Sequence, residues 1–267
     1  MAIELTGANA LRGILLVSAA LFAANGATAT SYDPETALAT SQAAVGGSLR
    51  EIVLRDVDGQ AFDLRSLQGK PLVISMIYTS CHHICPMITQ SLSTAADIGF
   101  EALGDDAFSI VTVGFDWQED TPERMRMFSK ERRVNTANWY FLAGDEHSIR
   151  TLSEDLGFQY YRSAKGFDHL NQTSIVRADG TVFRQIYGID VDPRHLVEPL
   201  KELVFDTPST AGVLDHWVDT FRLFCTVYDP NSGRYRFDYS IATAIFVGVL
   251  CLGAVASFIA REWRHAR

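Results

Sequence analysis

The chain has 267 residues, of which 47% are hydrophobic, and its formal net charge is −9. This length suits one domain of ordinary size together with targeting segments, and the apolar fraction is large enough for a buried core. The acidic balance argues against nucleic-acid binding, which requires a basic surface, but it leaves a basic protein partner open. Four cysteines and seven histidines are the candidates for redox or metal chemistry.

The first 29 residues have the features of a signal peptide. Arg12 precedes an apolar stretch, residues 13–24, and Ala27-Thr28-Ala29 supplies a cleavage pattern. The alternative is a retained anchor, but about 12 apolar residues are too few to cross a hydrocarbon core of about 30 Å. Residues 30–48 are rich in alanine, serine and glycine without periodicity, which predicts a flexible leader.

Residues 49–206 show strands alternating with helices. Apolar runs at 72–78 and 108–116 predict two buried strands, and Asp58-Gly59 and Asp179-Gly180 are typical of hairpin turns. The residues predicted to begin later helices are Thr121-Pro122, Asp145 and Asp192-Pro193. This alternation predicts an α/β domain with a central mixed sheet flanked by helices.

The chemistry is expected where a buried strand meets a helix. The run 72–78 is followed by Cys81-His82-His83-Ile84-Cys85-Pro86 and then by a helical pattern with one apolar face. Because a helix N-terminus carries partial positive charge, it stabilises a thiolate. Helical spacing of four residues brings Cβ atoms within roughly 5–6 Å, so a modest loop adjustment lets Cys81 and Cys85 form a disulfide or bind one soft metal ion.

The alternative for this pair is incidental proximity or a purely stabilising disulfide. A disulfide that closes so short a loop removes little entropy from the unfolded chain, so stability is a poor reason for it. Cys81 and Cys85 are therefore predicted to be a redox pair, and Cu(I) is the soft metal that they suit.

The character of the chain changes after Asp206. Residues 207–240 are predicted to be a juxtamembrane extension, with a short apolar helix face that lies at the membrane surface or packs on the main domain. Residues 241–260 carry no charge and are long enough to span a bilayer, although a buried core helix is an alternative. Arginines in residues 261–267 place that tail in the cytoplasm. We therefore expect a single-pass inner-membrane protein with residues 49–206 on the periplasmic side, where disulfides form.

An imidazole is expected to complete a copper site, because two thiolates leave copper undercoordinated. His82 and His83 lie between the cysteines, where their tight spacing restricts both from turning inward. His169 lies in a loop before a predicted strand, residues 172–177. If that strand is central in the sheet, His169 comes beside the loop that contains Cys81, which we call the Cys loop. The remaining histidines are predicted to be solvated or cytoplasmic: His147, His195, His216 and His265.

These motifs resemble the Sco/SenC family of thioredoxin-like domains on a membrane anchor. The resemblance spans residues 51–204 and is carried by three motifs in order, which are Cys81-His82-His83-Ile84-Cys85-Pro86, Gly114-Phe115-Asp116 and Asp168-His169. It implies a thioredoxin-like fold, a copper site made of Cys81, Cys85 and His169, and assistance in assembling the copper centre of a cytochrome c oxidase. Asp116 matches an acidic position of the family, without an implied role as a ligand.

The resemblance also implies partners. These are the copper-bearing subunit of cytochrome c oxidase and other copper chaperones or thioredoxin-like reductants. The uncharged run 241–260 separately predicts contact with membrane lipid. The chain departs from the family pattern in two ways. His82 and His83 lie between the two cysteines, where they could alter the metal affinity or the redox potential. The predicted membrane anchor is C-terminal, whereas many family members carry it at the N-terminus. Cys225 lies in a segment that looks like an extension found in C-terminally anchored family members. Its role there is either that of a buried residue or that of a redox partner of the site.

Two functions fit the sequence. The first is a membrane-tethered copper metallochaperone that delivers copper to a cytochrome c oxidase. The second is a thiol–disulfide oxidoreductase, in which one cysteine attacks and the other resolves a mixed disulfide with that oxidase or another extracytoplasmic partner. A peroxidase on the same fold would need an arginine near the cysteine, and the sequence places none there.

Overall fold

A computed structural model describes residues 32–134, 136–206, 226–229 and 234–237, with helical pieces at 243–244, 246–253, 255, 261 and 263. The predicted signal peptide and most of the predicted extension, including Cys225, lie outside the described residues.

The described strands are, in chain order, β1 (Val53–Arg55), β2 (Ala61–Asp63), β3 (Leu72–Ile77), β4 (Ser109–Gly114), β5 (Trp139–Ala143), β6 (Tyr160–Ser163), β7 (Gly166–His169), β8 (Gln172–Val176), β9 (Val182–Tyr187), β10 (Thr226–Asp229) and β11 (Arg234–Phe237). Seven of them form a mixed sheet in the order β2-β1-β5-β4-β3-β8-β9. The pairs β6–β7 and β10–β11 form separate two-stranded sheets.

The described helices are α1 (Pro34–Ala43), α2 (Ile84–Leu103), α3 (Pro122–Glu131), α4 (Glu146–Leu156) and α5 (Pro193–Asp206), and a 3-10 helix covers Leu64–Leu67. The capping signals in the sequence are used as expected, since the Thr121 and Asp145 side chains accept hydrogen bonds from backbone N–H groups in the first turns of α3 and α4. Helix α2 packs against α5, and α3 packs beside β5. The predicted central mixed sheet with flanking helices is confirmed, and it is consistent with a thioredoxin-like fold.

The predicted site residues lie at the edge of the sheet formed by the carboxyl ends of its parallel strands. Strands β3, β4 and β5 are parallel, so their carboxyl ends lie together, and every residue of β3 and β4 is buried. Strand β8 is antiparallel to β3, with Ser75 paired to Thr173, so β8 begins where β3 ends. The Cys loop follows β3, and His169 precedes β8. The topology therefore brings both to the same edge of the sheet, as the sequence predicted.

Helix α1 corrects the expectation of a flexible leader over residues 30–48. Asp33 accepts a hydrogen bond from the Thr36 N–H over 3.0 Å and caps the helix. Ala37 and Ser41 are buried, and the Ser41 hydroxyl lies 2.9 Å from the Tyr187 hydroxyl of β9. The helix buries alanine and serine rather than large apolar residues, so the sequence carries no hydrophobic stripe that would predict it.

The predicted membrane-spanning segment lies only partly within the described residues. Residues 246–253 are helical and exposed, with Leu252 exposed to 72%. Among the described residues, no helix has both the length and the apolar character to cross a membrane. Strands β10 and β11 pair antiparallel on either side of the predicted turn.

Replacing Gly114 by alanine is expected to destabilise the fold at the end of β4. An added Cβ would lie 2.5 Å from the Asp120 Cβ and 2.8 Å from the Met125 Sδ, which is closer than such atoms approach. Overpacking of this kind costs about 1–3 kcal/mol. Urea denaturation of Gly114→Ala and of the unmodified chain measures this cost. An unchanged free energy of unfolding would contradict the close packing described here.

Candidate functional site

The two cysteines lie at the junction between β3 and α2. Cys81 is half-buried in the connecting loop, whereas Cys85 lies in the first turn of α2 and is only 1% exposed. The Cys81 N–H donates to the Tyr78 carbonyl over 3.1 Å, which closes the loop. The Cys85 N–H donates to the Cys81 Sγ over 3.4 Å, so the helix N-terminus is directed at the Cys81 sulfur. Both residues are free thiols.

The two thiols have opposite acidity. The hydrogen bond from the Cys85 thiol, aided by the N–H groups of Cys85 and His83, lowers the pKa of Cys81 well below its ordinary value, even though burial opposes this. The same hydrogen bond, together with burial, raises the pKa of Cys85. This hydrogen bond therefore favours a thiolate at Cys81 and a protonated thiol at Cys85.

Alkylation is expected to show this asymmetry. Because the pKa of Cys81 is lowered, its thiolate persists as the pH falls below the ordinary thiol value of about 8.5, and Cys81 should still react with iodoacetamide near pH 6. Cys85 should remain unmodified there, since it is buried and its pKa is raised. Peptide mapping after timed labelling measures both rates, and the denatured chain serves as the control. If the alkylation rate of Cys81 has already dropped to half of its high-pH value when the pH is lowered to about 8.5, the assignment is wrong.

His169 is the last residue of β7 and pairs with Tyr160 of β6. The sequence analysis expected a loop here, and the structure instead gives a short hairpin, whose Gly166 has a positive φ of 115°. The His169 Nδ1 lies 3.0 Å from the Leu170 carbonyl, so in the neutral ring Nδ1–H donates and the Nε2 lone pair stays available. Burial lowers the pKa of His169 and favours the neutral form, which is the form that binds metals.

Aromatic side chains enclose the His169 ring. Its centroid lies 6.0 Å from that of Tyr78, 5.3 Å from that of Phe115 and 5.5 Å from that of Phe158. Tyr78 also interacts with Cys81 through its hydroxyl, and burial raises the pKa of Tyr78 to about 12. Tyr78 therefore contacts both candidate ligands, with its ring beside the His169 imidazole and its hydroxyl at Cys81.

The three predicted ligands are neighbours but do not form a closed metal site. Within the described part of the chain, no three histidine, cysteine or acidic side chains lie close enough together to hold a metal ion. The structure brings Cys81 beside Cys85, and it brings His169 to the same edge of the sheet, beside Tyr78.

The comparison with known proteins decides the family. The family model described as SCO1/SenC matches residues 40–204, which is most of the described domain. The chain belongs to the SCO1/SenC family. Its relatives include the SCO1 protein homolog of Bacillus subtilis, which is 26% identical over 140 residues, 51% of this chain and 72% of the relative.

Solved structures show the same fold. Arabidopsis thaliana ScoI, a structure with copper bound, matches with a TM-score of 0.51 at 22% identity over 59% of this chain and 98% of that one. BsSco, a member of the Sco family of cytochrome c oxidase assembly proteins, matches with a TM-score of 0.52 at 20% identity over 60% of this chain and 94% of that one.

The other histidines of this SCO1/SenC chain behave differently from His169. His82 and His83 are exposed to solvent within the Cys loop, and the His83 side chain makes no capping hydrogen bond to α2. His147 and His195 are exposed on helices, which agrees with their predicted solvated role.

Sequence reasoning missed one polar residue of this SCO1/SenC site. Asp120 is 1% exposed and accepts hydrogen bonds from the Thr79 N–H (2.8 Å), the Thr79 hydroxyl (2.7 Å) and the Asp116 N–H (2.9 Å). Burial raises the pKa of Asp120. Its acidic type and its place just after a buried strand were visible in the sequence, but its partner Thr79 is 41 residues away.

Proposed function

We propose that this chain is a membrane-tethered copper-binding protein that assists assembly of the copper centre of a cytochrome c oxidase. The observation that carries the proposal is the Cys81 sulfur, which accepts the Cys85 N–H and interacts with the Tyr78 hydroxyl, while the same Tyr78 ring packs against the neutral His169 imidazole. Membership of the SCO1/SenC family supports it, as do the copper bound to Arabidopsis ScoI and the oxidase-assembly family of BsSco.

The ligand chemistry suits copper as cargo. Two thiolates and one imidazole form a soft set that favours Cu(I) over hard cations such as magnesium or calcium. Cys81 supplies a thiolate without further proton loss, whereas Cys85 has to release its proton when the metal binds. The neutral ring of His169 can then bind through Nε2, while Nδ1 stays held by the Leu170 carbonyl.

Membrane attachment is part of the proposal. The uncharged run 241–260 and the exposed apolar side chains within 246–253 support a C-terminal spanning helix, with the signal-like N-terminus directing the domain to the periplasmic side. Such a tether raises the effective concentration of the copper site near a membrane-embedded oxidase subunit. Other copper chaperones or thioredoxin-like reductants are the further partners that this chemistry would need.

Copper titration tests the proposal. The full-length chain, purified in mild detergent and reduced, is expected to bind one Cu(I) per chain in competition with a chromogenic chelator. A sample whose cysteines have been blocked by alkylation is the control and should bind none. A reduced chain that fails to compete for copper would overturn the proposed function.

The unequal acidity of the two thiols favours one second candidate, a thiol–disulfide oxidoreductase. The Cys81 thiolate would attack a partner disulfide and form a mixed disulfide, with the partner's second sulfur leaving as a thiolate. Cys85 would then lose its proton and displace the partner, leaving a Cys81–Cys85 disulfide and a partner dithiol reduced by two electrons. This reaction does not use His169, so a His169→Ala variant that keeps full activity in cells would favour the second candidate.

A further inference from the structure

A chain of polar contacts connects the Cys loop to the hairpin that carries His169. Its first part is the buried Asp120 carboxylate, whose Oδ1 accepts both hydrogen bonds from Thr79, the second residue after β3. The Asp120 Oδ2 accepts a hydrogen bond from the N–H of Asp116, which is the second residue after β4. Asp120 thus joins the start of the Cys loop to the neighbouring strand end.

The second part runs from Asp116 to the hairpin. The Asp116 side chain is 5% exposed, and its Oδ1 lies 3.3 Å from the Arg162 Nη2 of β6. The Arg162 guanidinium also lies over the Phe167 ring, with 4.8 Å from its carbon to the ring centroid. Arg162 and Phe167 are paired residues of the hairpin, and Phe167 is two residues from His169 in β7.

We infer that Asp120, Asp116 and Arg162 are positioning residues, which set the separation between the Cys loop and His169 and so decide how readily His169 joins copper held by the two cysteines. The inference rests on the proposed copper function for its consequence but not for its geometry. Since the three candidate ligands do not converge in the described residues, whatever holds the hairpin relative to the loop controls the closure of the site.

Charge attraction alone does not explain the Arg162 contact. The Arg162 side chain is 63% exposed, and exposed ion pairs of this kind contribute little to stability. Its partner Asp116 is nevertheless buried, and the guanidinium makes a second contact with Phe167, so Arg162 restrains the orientation of the hairpin. The variant Arg162→Met should therefore leave the fold intact while removing the polar restraint on the hairpin, whose Phe167 still packs against Tyr78 and Phe115.

Two variants and one matched control test the inference. Arg162→Met removes the guanidinium but keeps a long side chain over Phe167. Asp120→Asn keeps the shape of the side chain but replaces one acceptor oxygen by an NH₂ donor, so it cannot accept from both Thr79 and Asp116. The control is Arg184→Met, because Arg184 is also exposed and its guanidinium lies over a ring, 5.4 Å from the Phe183 centroid, but on strand β9.

The first measurement is made without copper. In the full-length reduced chain with ¹³C-labelled histidine, the His169 ring resonance, assigned from its loss in His169→Ala, should shift in Arg162→Met and in Asp120→Asn but not in Arg184→Met. The equilibrium of the Cys81–Cys85 disulfide with glutathione should change by less than about twofold in Arg162→Met, because that variant leaves the Cys loop itself intact.

The second measurement adds Cu(I). Loss of a partner that orients a metal ligand weakens binding by about 10-fold or more, which is the loss expected for Arg162→Met, with none for Arg184→Met. Equal copper affinities and equal His169 resonances in these two variants would overturn the inference. If the unmodified chain binds no copper, the proposed function fails, and the copper-free resonance still decides whether the link exists. If Asp120→Asn does not fold, Arg162→Met alone decides it.

Discussion

Replacing either Cys81 or Cys85 by serine is expected to weaken Cu(I) binding by about 1000-fold, which corresponds to about 4 kcal/mol. A serine hydroxyl stays protonated at neutral pH and is a hard ligand, so it does not replace a thiolate on a soft metal ion. Competition of each variant with a chromogenic Cu(I) chelator measures the loss. The same substitutions remove the Cys81–Cys85 disulfide, so thiol–disulfide exchange with a partner should stop at the mixed disulfide or not begin.

Cys251→Ser is the matched control for these variants. Cys251 is another free thiol of the described residues, but it is exposed and lies in the C-terminal helical piece. Its replacement should leave the copper affinity unchanged. A Cys81→Ser or Cys85→Ser chain that unfolds in urea like the unmodified chain and still binds copper with the original affinity would rule out the dithiol as the copper site.

Replacing His169 by alanine is expected to weaken copper binding by about 100-fold, or about 3 kcal/mol, while the Cys81–Cys85 disulfide still forms. The ring supplies the third ligand, and its neutral form is already favoured by burial and by the Leu170 carbonyl. In the Cu(II) form, nitrogen hyperfine structure in the electron paramagnetic resonance spectrum should also disappear. Chelator competition and redox titration with glutathione measure the two properties on one sample.

His195→Ala provides the comparison, because His195 is an exposed histidine on α5 that is remote in sequence from both motifs. It should match the unmodified chain in copper affinity and spectrum. If His169→Ala and His195→Ala behave alike, then His169 is not a ligand, and only the dithiol chemistry of Cys81 and Cys85 remains as a basis for function.

Local sequence patterns predicted the strand before the cysteines, two helix starts and two hairpin turns. The apolar run of β3, the capping residues Thr121 and Asp145, and the paired turns at Asp58-Gly59 and Asp179-Gly180 each depend on neighbours in the chain, and each appears in the structure. The alternation of helices and strands predicted a mixed sheet, but it did not predict the strand order β2-β1-β5-β4-β3-β8-β9.

Features that depend on distant partners escaped the sequence analysis. The hairpin β6–β7 is short, and its burial comes from packing against Tyr78 and Phe115 rather than from its own pattern. Helix α1 is held by small side chains and by contact with Tyr187. Asp120 shows no special spacing, because its role depends on Thr79, which the fold brings to it across two strands.

The two cysteines differ in how accessible they are from solvent. Cys85 is buried in the first turn of α2, whereas Cys81 is only half-buried in the loop before the helix. An incoming thiol, disulfide or metal ion is therefore expected to meet the Cys81 sulfur before the Cys85 sulfur.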